Sequence, residues 1–134
     1  MKKFNNFLES RNSHSDENTE DYLELINDLL NNIGEARIVD IAKQLNIAQA
    51  TANKTIQRLQ KQGYVEKLPY RSIFLTPQGQ AIAYRSKKRH NTVYNFLVKL
   101  GVNKKIAKKD AEGIEHHVSE ETLKKFKNFS YKNK

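Results

Sequence analysis

The sequence predicts a mainly α-helical chain, with one short β-hairpin dividing the helices into two groups. Three observations carry this prediction. Apolar residues recur at three- and four-residue spacing through most of the 134 residues, the period of a helix with one buried face. The exception is Tyr64 to Leu75, where Tyr64-Val65-Glu66-Lys67-Leu68 and Ser72-Ile73-Phe74-Leu75 flank Pro69-Tyr70-Arg71 as strand, short loop and strand. Helix punctuation falls between the periodic runs: glycines at 34, 63 and 101 act as stops, and Thr76-Pro77 places a capping side chain before a first-turn proline.

Taken in order, residues 1–18 are polar, with Asn, Ser, Asp and Glu prominent from Ser10 to Asn18, and read as a flexible N-terminal arm. Thr19 reads as an N-cap, with Glu20 and Asp21 at the positive end of a helix dipole. The repeat Tyr22, Leu25, Ile26, Leu29, Leu30 carries that helix to about Asn32. A second helix covers about Ile38 to Leu45. After a tight turn at Asn46-Ile47, a third covers about Gln49 to Gln62 with Ala52, Ile56 and Leu59 inward. Beyond the hairpin, one helix runs from Thr76-Pro77 to Leu100 and another from about Lys104 to His117. Ser119-Glu120-Glu121-Thr122 opens a last one carrying Leu123 and Phe126.

Helix, short helix, tight turn, helix, two-stranded wing is the order of a winged helix-turn-helix. The expected organisation is thus an arm at 1–18, a winged helix-turn-helix DNA-binding domain at 19–80 and a helical domain at 81–134. Such a module holds one helix at an angle that lets it enter the major groove. The first turns of the Gln49–Gln62 helix present Gln49, Ala50, Thr51, Asn53 and Lys54. Gln49 and Asn53 suit base edges, adenine above all; Thr51, Lys54 and Arg58 suit phosphates. Ala50 permits close approach to the duplex, and Tyr70 with Arg71 stands at the wing tip. The competing reading is a small lobe with a solvated polar surface, or a winged helix that binds protein.

The formal charge is +9 and unevenly spread. Residues 1–28 hold three basic and seven acidic side chains, whereas Arg85 to Lys109 holds nine Lys or Arg and no acid. A basic chain with an acidic patch suits a polyanionic partner, though lysine-rich surfaces also occur without one. With no cysteine, disulfides, thiolate metal sites and Cys nucleophiles are excluded. No run approaches the roughly 20 apolar residues of a membrane span, and no apolar run follows Lys2-Lys3, so a cytoplasmic protein is expected.

Three segments carry potential metal ligands. Asp21 and Glu24 share a helix face; Glu112, Glu115 and His116 stand at i, i+3 and i+4; His90 precedes Glu112 by 22 residues. Each has an ordinary alternative: dipole complement, hydrogen-bonded core histidine, wet helix face. Gly113 leans toward a site, because a mid-helix glycine costs about 1 kcal/mol against alanine and a close approach would justify it. If the six converge, four carboxylates and two imidazoles carry a charge that about two divalent ions would balance, and sulfur-free ligation suits Mn²⁺ or Fe²⁺.

From about Glu20 to Phe126 the sequence resembles the manganese-regulator branch of the diphtheria-toxin-repressor family. The resemblance is carried by Asp110-Ala111-Glu112-Gly113-Ile114-Glu115-His116-His117-Val118-Ser119-Glu120-Glu121-Thr122-Leu123, Glu20-Asp21-Tyr22-Leu23-Glu24, Gly34-Glu35-Ala36-Arg37 and Arg89-His90. It implies that Asp21, Glu24, His90, Glu112, Glu115 and His116 are metal ligands for two Mn²⁺ per subunit. It also implies that the C-terminal helices bind metal and dimerise, and that the homodimer binds a palindromic operator in double-stranded DNA to repress manganese uptake genes. No membrane and no small-molecule substrate are expected. Other readings are a winged-helix regulator answering to another metal such as Fe²⁺, or to none, and a dinuclear hydrolase. The last needs a substrate cleft that nothing in the sequence suggests, so the chain is not expected to be an enzyme.

Overall fold

The computed structural model describes residues 2–69 and 72–133, with side chains from residue 17 onward. Helices α1 (Lys2–Asn32), α2 (Ile38–Leu45) and α3 (Gln49–Lys61) precede an antiparallel pair, β1 (Val65–Lys67) and β2 (Ile73–Leu75). Helices α4 (Pro77–Lys99), α5 (Lys104–Ile114) and α6 (Glu120–Lys132) follow. The pair registers Val65 on Leu75 and Lys67 on Ile73. The chain forms two compact units: Asn18–Tyr84, and Arg85–Lys134 with Met1–Glu17.

The Asn18–Tyr84 unit is built on apolar periodicity. Leu23, Ile26, Ile41, Ala52, Ile56 and Leu59 are fully buried, and Val65, Ile73 and Leu75 close the core from the hairpin. The hairpin is stitched to the segment after α1: Ile73 N–H donates to the Ala36 carbonyl at 2.8 Å, and Ala36 N–H donates to the Ser72 hydroxyl at 2.7 Å. Asn46 ends α2 in the left-handed region, φ 56°, a conformation that asparagine tolerates. At the start of α4, Thr76 Oγ1 accepts from Gly79 N–H at 3.2 Å and donates to the Gly63 carbonyl at 2.6 Å, so the Thr-Pro signal works as expected. Gly79 has a separate reason to be glycine: a Cβ there would overlap the Tyr64 carbonyl oxygen.

The helical unit has a thinner apolar core. Val93, Ala107, Ala111 and Leu123 are buried, with Tyr94, Leu97, Ile114, Val118 and Phe126 packed on this core. Phe96 stacks on Phe126 with ring centroids 3.9 Å apart and meets Phe129 edge-on at 5.4 Å. Ser119 caps α6, accepting from Thr122 N–H at 3.2 Å.

Three expectations are corrected. The first helix starts at Lys2, not at Thr19: residues 1–33 contain neither glycine nor proline, so nothing in the polar stretch halts a helix. Thr19 is a buried residue inside it. α5 ends at Ile114, so Glu115 is its C-cap and His116 lies in the turn beyond, not on the helix face with Glu112. Gly113 faces open space, with nothing within 4 Å of where a Cβ would stand.

Candidate metal centre and nucleic-acid interface

The helical unit buries a carboxylate. Glu115 is 1% exposed, and neither of its oxygens has a hydrogen-bond partner. What surrounds it is imidazole: His90 Nδ1 stands 3.4 Å from Oε2 and His116 Nε2 3.4 Å from Oε1. Glu112 Oε1, one helical turn earlier on α5, lies 3.5 Å from the same His90 nitrogen. His90, Glu112 and Glu115 offer ligand atoms all within 4.8 Å of one another. His90 is held on α4 in parallel with the Tyr94 ring, centroids 6.4 Å apart, beside the buried Val93.

Desolvation pushes the Glu115 carboxyl above its ordinary value, and the neighbouring Glu112 adds to the rise; His90 and then His116 pull it down. Desolvation is the largest of these causes, so the imidazoles do not fully offset burial. A buried carboxylate whose oxygens lack hydrogen bonds is costly unless something cationic takes them up. Oxygen and nitrogen donors without sulfur are the set that Mn²⁺ and Fe²⁺ accept, so the residues present fit a divalent ion.

One residue that sequence reading assigned no role organises this region. Arg89 Nε donates to the Glu115 carbonyl at 3.0 Å, Nη2 donates to the Val118 carbonyl at 2.7 Å, and Nη1 pairs with Glu120 Oε1 at 2.9 Å. Its place in the Arg89-His90 pair was the one signal pointing toward it, because carbonyl acceptors leave no mark in a sequence.

Asp21 and Glu24 stand on α1 within the Asn18–Tyr84 unit, half-buried and three residues apart on one face. Glu17, one turn before Asp21 on the same helix, was not singled out from the sequence. It pairs with His117 Nε2 at 3.1 Å.

The candidate DNA face divides in two. Gln49, Ala50, Thr51 and Lys54 are exposed along the first turns of α3, while Ala52 and Ile56 point into the core. Asn53 and Arg58 are half-buried and engaged within the unit. Asn53 Oδ1 accepts from Lys67 Nζ at 2.9 Å; Arg58 Nη1 donates to Thr19 Oγ1 at 3.1 Å and to Gln62 Oε1 at 3.0 Å. Arg58, expected on phosphate, thus also ties α3 to α1. Tyr70 and Arg71 lie outside the described residues. Among the described residues no helix is long and apolar enough to cross a membrane.

Residues 15–73 match the family described as "Iron dependent repressor, N-terminal DNA binding domain". Residues 76–132 match "Iron dependent repressor, metal binding and dimerisation domain". The chain is 48% identical over 126 residues to the Transcriptional regulator MntR of Escherichia coli O6:H1 (strain CFT073), covering 94% of this chain and 81% of that one. Among solved structures it resembles T. acidophilum IdeR, with 30% identity and a TM-score of 0.73 over 80% of this chain and 51% of the other. It also resembles a manganese-dependent transcriptional repressor in complex with manganese, with 25% identity and a TM-score of 0.77 over 84% and 52%. The chain spans about half the length of these two solved proteins. A winged DNA-binding unit, a helical unit with a buried carboxylate–imidazole cluster and near-half identity to MntR lead to one conclusion: the chain belongs to the MntR regulators of the iron-dependent repressor family, metal-dependent DNA-binding proteins rather than enzymes.

Proposed function

We propose that the chain is a manganese-dependent repressor of manganese uptake genes, binding a palindromic operator as a homodimer with two Mn²⁺ per subunit. The observation that carries this reading is Glu115, buried between two imidazoles with its oxygens lacking hydrogen bonds. His90, Glu112, Glu115 and His116 would hold the metal, with Asp21 and Glu24 on α1 completing the set that the family resemblance implies. A bound divalent ion supplies the positive charge that this cluster of carboxylates lacks. The manganese preference is supported by the names of the relatives and by the absence of sulfur donors.

The chain's own residues do the rest. Gln49 faces bases from α3, with Thr51 and Lys54 on phosphates and Ala50 keeping the approach close. Asn53, held by Lys67, presents its amide group in a fixed orientation. In this reading metal binding and operator binding are linked, each tightening the other by the same factor.

The test is a Mn²⁺ titration at fixed ionic strength, following by fluorescence anisotropy the binding of a palindromic duplex selected by the protein from a random pool. Affinity should rise with Mn²⁺ and fall on chelation. DNA affinity indifferent to both would end the reading.

A further inference from the structure

The geometry points to Arg89 as a positioning residue that preforms the ligand-bearing turn between α5 and α6; this rests on the metal reading above. The turn needs such a device. α5 ends at Ile114, and His116 N–H reaches the Gly113 carbonyl only at 3.4 Å, a long bond at the bend that must aim two donor side chains. Past the end of a helix, carbonyls have no partner in the helix itself.

Arg89 supplies those partners from outside. Its fork takes the Glu115 carbonyl and the Val118 carbonyl, fixing the turn on either side of His116 and His117, and reaches Glu120 in the first turn of α6. Three contacts from one planar group leave the turn little freedom to rotate, and only an arginine offers that fork. A lysine keeps the charge but cannot span both carbonyls. The Arg89 side chain is 19% exposed whereas Glu120 is 83% exposed, so the two carbonyl bonds do most of the positioning and the ion pair is the weak arm. Arg89 is adjacent to His90 on α4, so one helix turn delivers both a proposed ligand and the clamp that sets the facing ligands. Misplacement of Glu115 or His116 would cost metal affinity even with every ligand present.

Four proteins separate positioning from mere stability: wild type, Arg89→Lys, Glu120→Gln and Leu123→Ala. The last removes a buried side chain of the same core and no proposed ligand. Mn²⁺ affinity is measured by calorimetry, apo melting by circular dichroism, and apo exchange protection of the amides of residues 115–118 by mass spectrometry or NMR. Arg89→Lys should weaken Mn²⁺ binding by roughly tenfold or more and lose protection in the turn. Glu120→Gln should stay close to wild type. Leu123→Ala should melt lower yet bind Mn²⁺ almost as wild type while folded. Wild-type affinity and protection in Arg89→Lys would overturn the inference, as would an equal loss of affinity in Leu123→Ala. A wild type that takes up no Mn²⁺ would sink the metal reading instead, and the exchange data would still decide whether Arg89 orders the turn.

Discussion

The two units are stabilised in opposite ways. In Asn18–Tyr84 the buried residues are almost all apolar, from Leu23 on α1 to Leu75 on β2; among the described residues Thr19, bonded to Arg58, is the one buried polar exception. In the helical unit the buried apolar set is small, and a carboxylate and a serine are buried with it. A core of the first kind is complete by itself. One of the second kind holds an unfavourable group until a cation joins it. The difference teaches where responsiveness resides: the reading unit is made to be constant, and the helical unit is made to depend on its environment.

The comparison can be broken from either side. The largest effect is expected in the reading unit. Ile56→Ala, at a fully buried site, should cost about 2–5 kcal/mol of stability by denaturant melting while the folded protein keeps its Mn²⁺ affinity. Loss of both together would show that the two units are not separable in this way.

Glu115→Gln should do the reverse. Mn²⁺ at about 100 times its dissociation constant stabilises a binding protein by about 2.7 kcal/mol; the variant should lose that increment, yet its apo form should melt no lower than wild type because a buried charge has gone. A markedly lower apo melting temperature would mean the carboxylate is structural.

The pH response of the same pair follows from the sign of the Glu115 shift. Its carboxyl is raised in the fold above the ordinary 4.5, so the folded state binds the proton more tightly than the unfolded one. The stability this gives is fully present below the unfolded value and is lost as pH rises through the folded one. Apo wild type should therefore lose stability relative to Glu115→Gln as pH rises from about 4.5 upward, measured as the difference between two denaturation series. A flat difference would remove the burial argument.

The smallest effects belong to the DNA face. Gln49→Ala should relax sequence preference at one position by about 1–3 kcal/mol. Lys54→Ala should weaken all duplexes alike and reduce the salt slope by about 0.9. The opposite pattern would exchange the two roles.

How much of this was legible depended on what kind of partner each residue has. Apolar periodicity showed α2 and α3 nearly to the residue, and Thr76 and Ser119 signalled their helices, because a cap is a local event. The start of α1 was hidden: Glu20 and Asp21 look like a first turn, and only the lack of any breaker upstream argued otherwise. The exit from α5 was hidden too, since helical spacing continues through His116 after the helix has stopped. Asn53 and Arg58 have the chemistry of DNA contacts, and they also have partners distant in sequence, Lys67 and Thr19, that no local pattern shows. Arg89 was hardest of all, because two of its three contacts are main-chain carbonyls that any residue carries.

The Arg58–Thr19 bond has one more consequence. It joins α3 to α1 just two residues before Asp21, and Leu23 and Ile26 of α1 share a core with Ile56 and Leu59 of α3. The helix proposed to face the bases and the helix that carries two proposed ligands are thus joined by a hydrogen bond and a shared core. A displacement of α1 at Asp21 and Glu24 would be passed to α3 through that bond and that core.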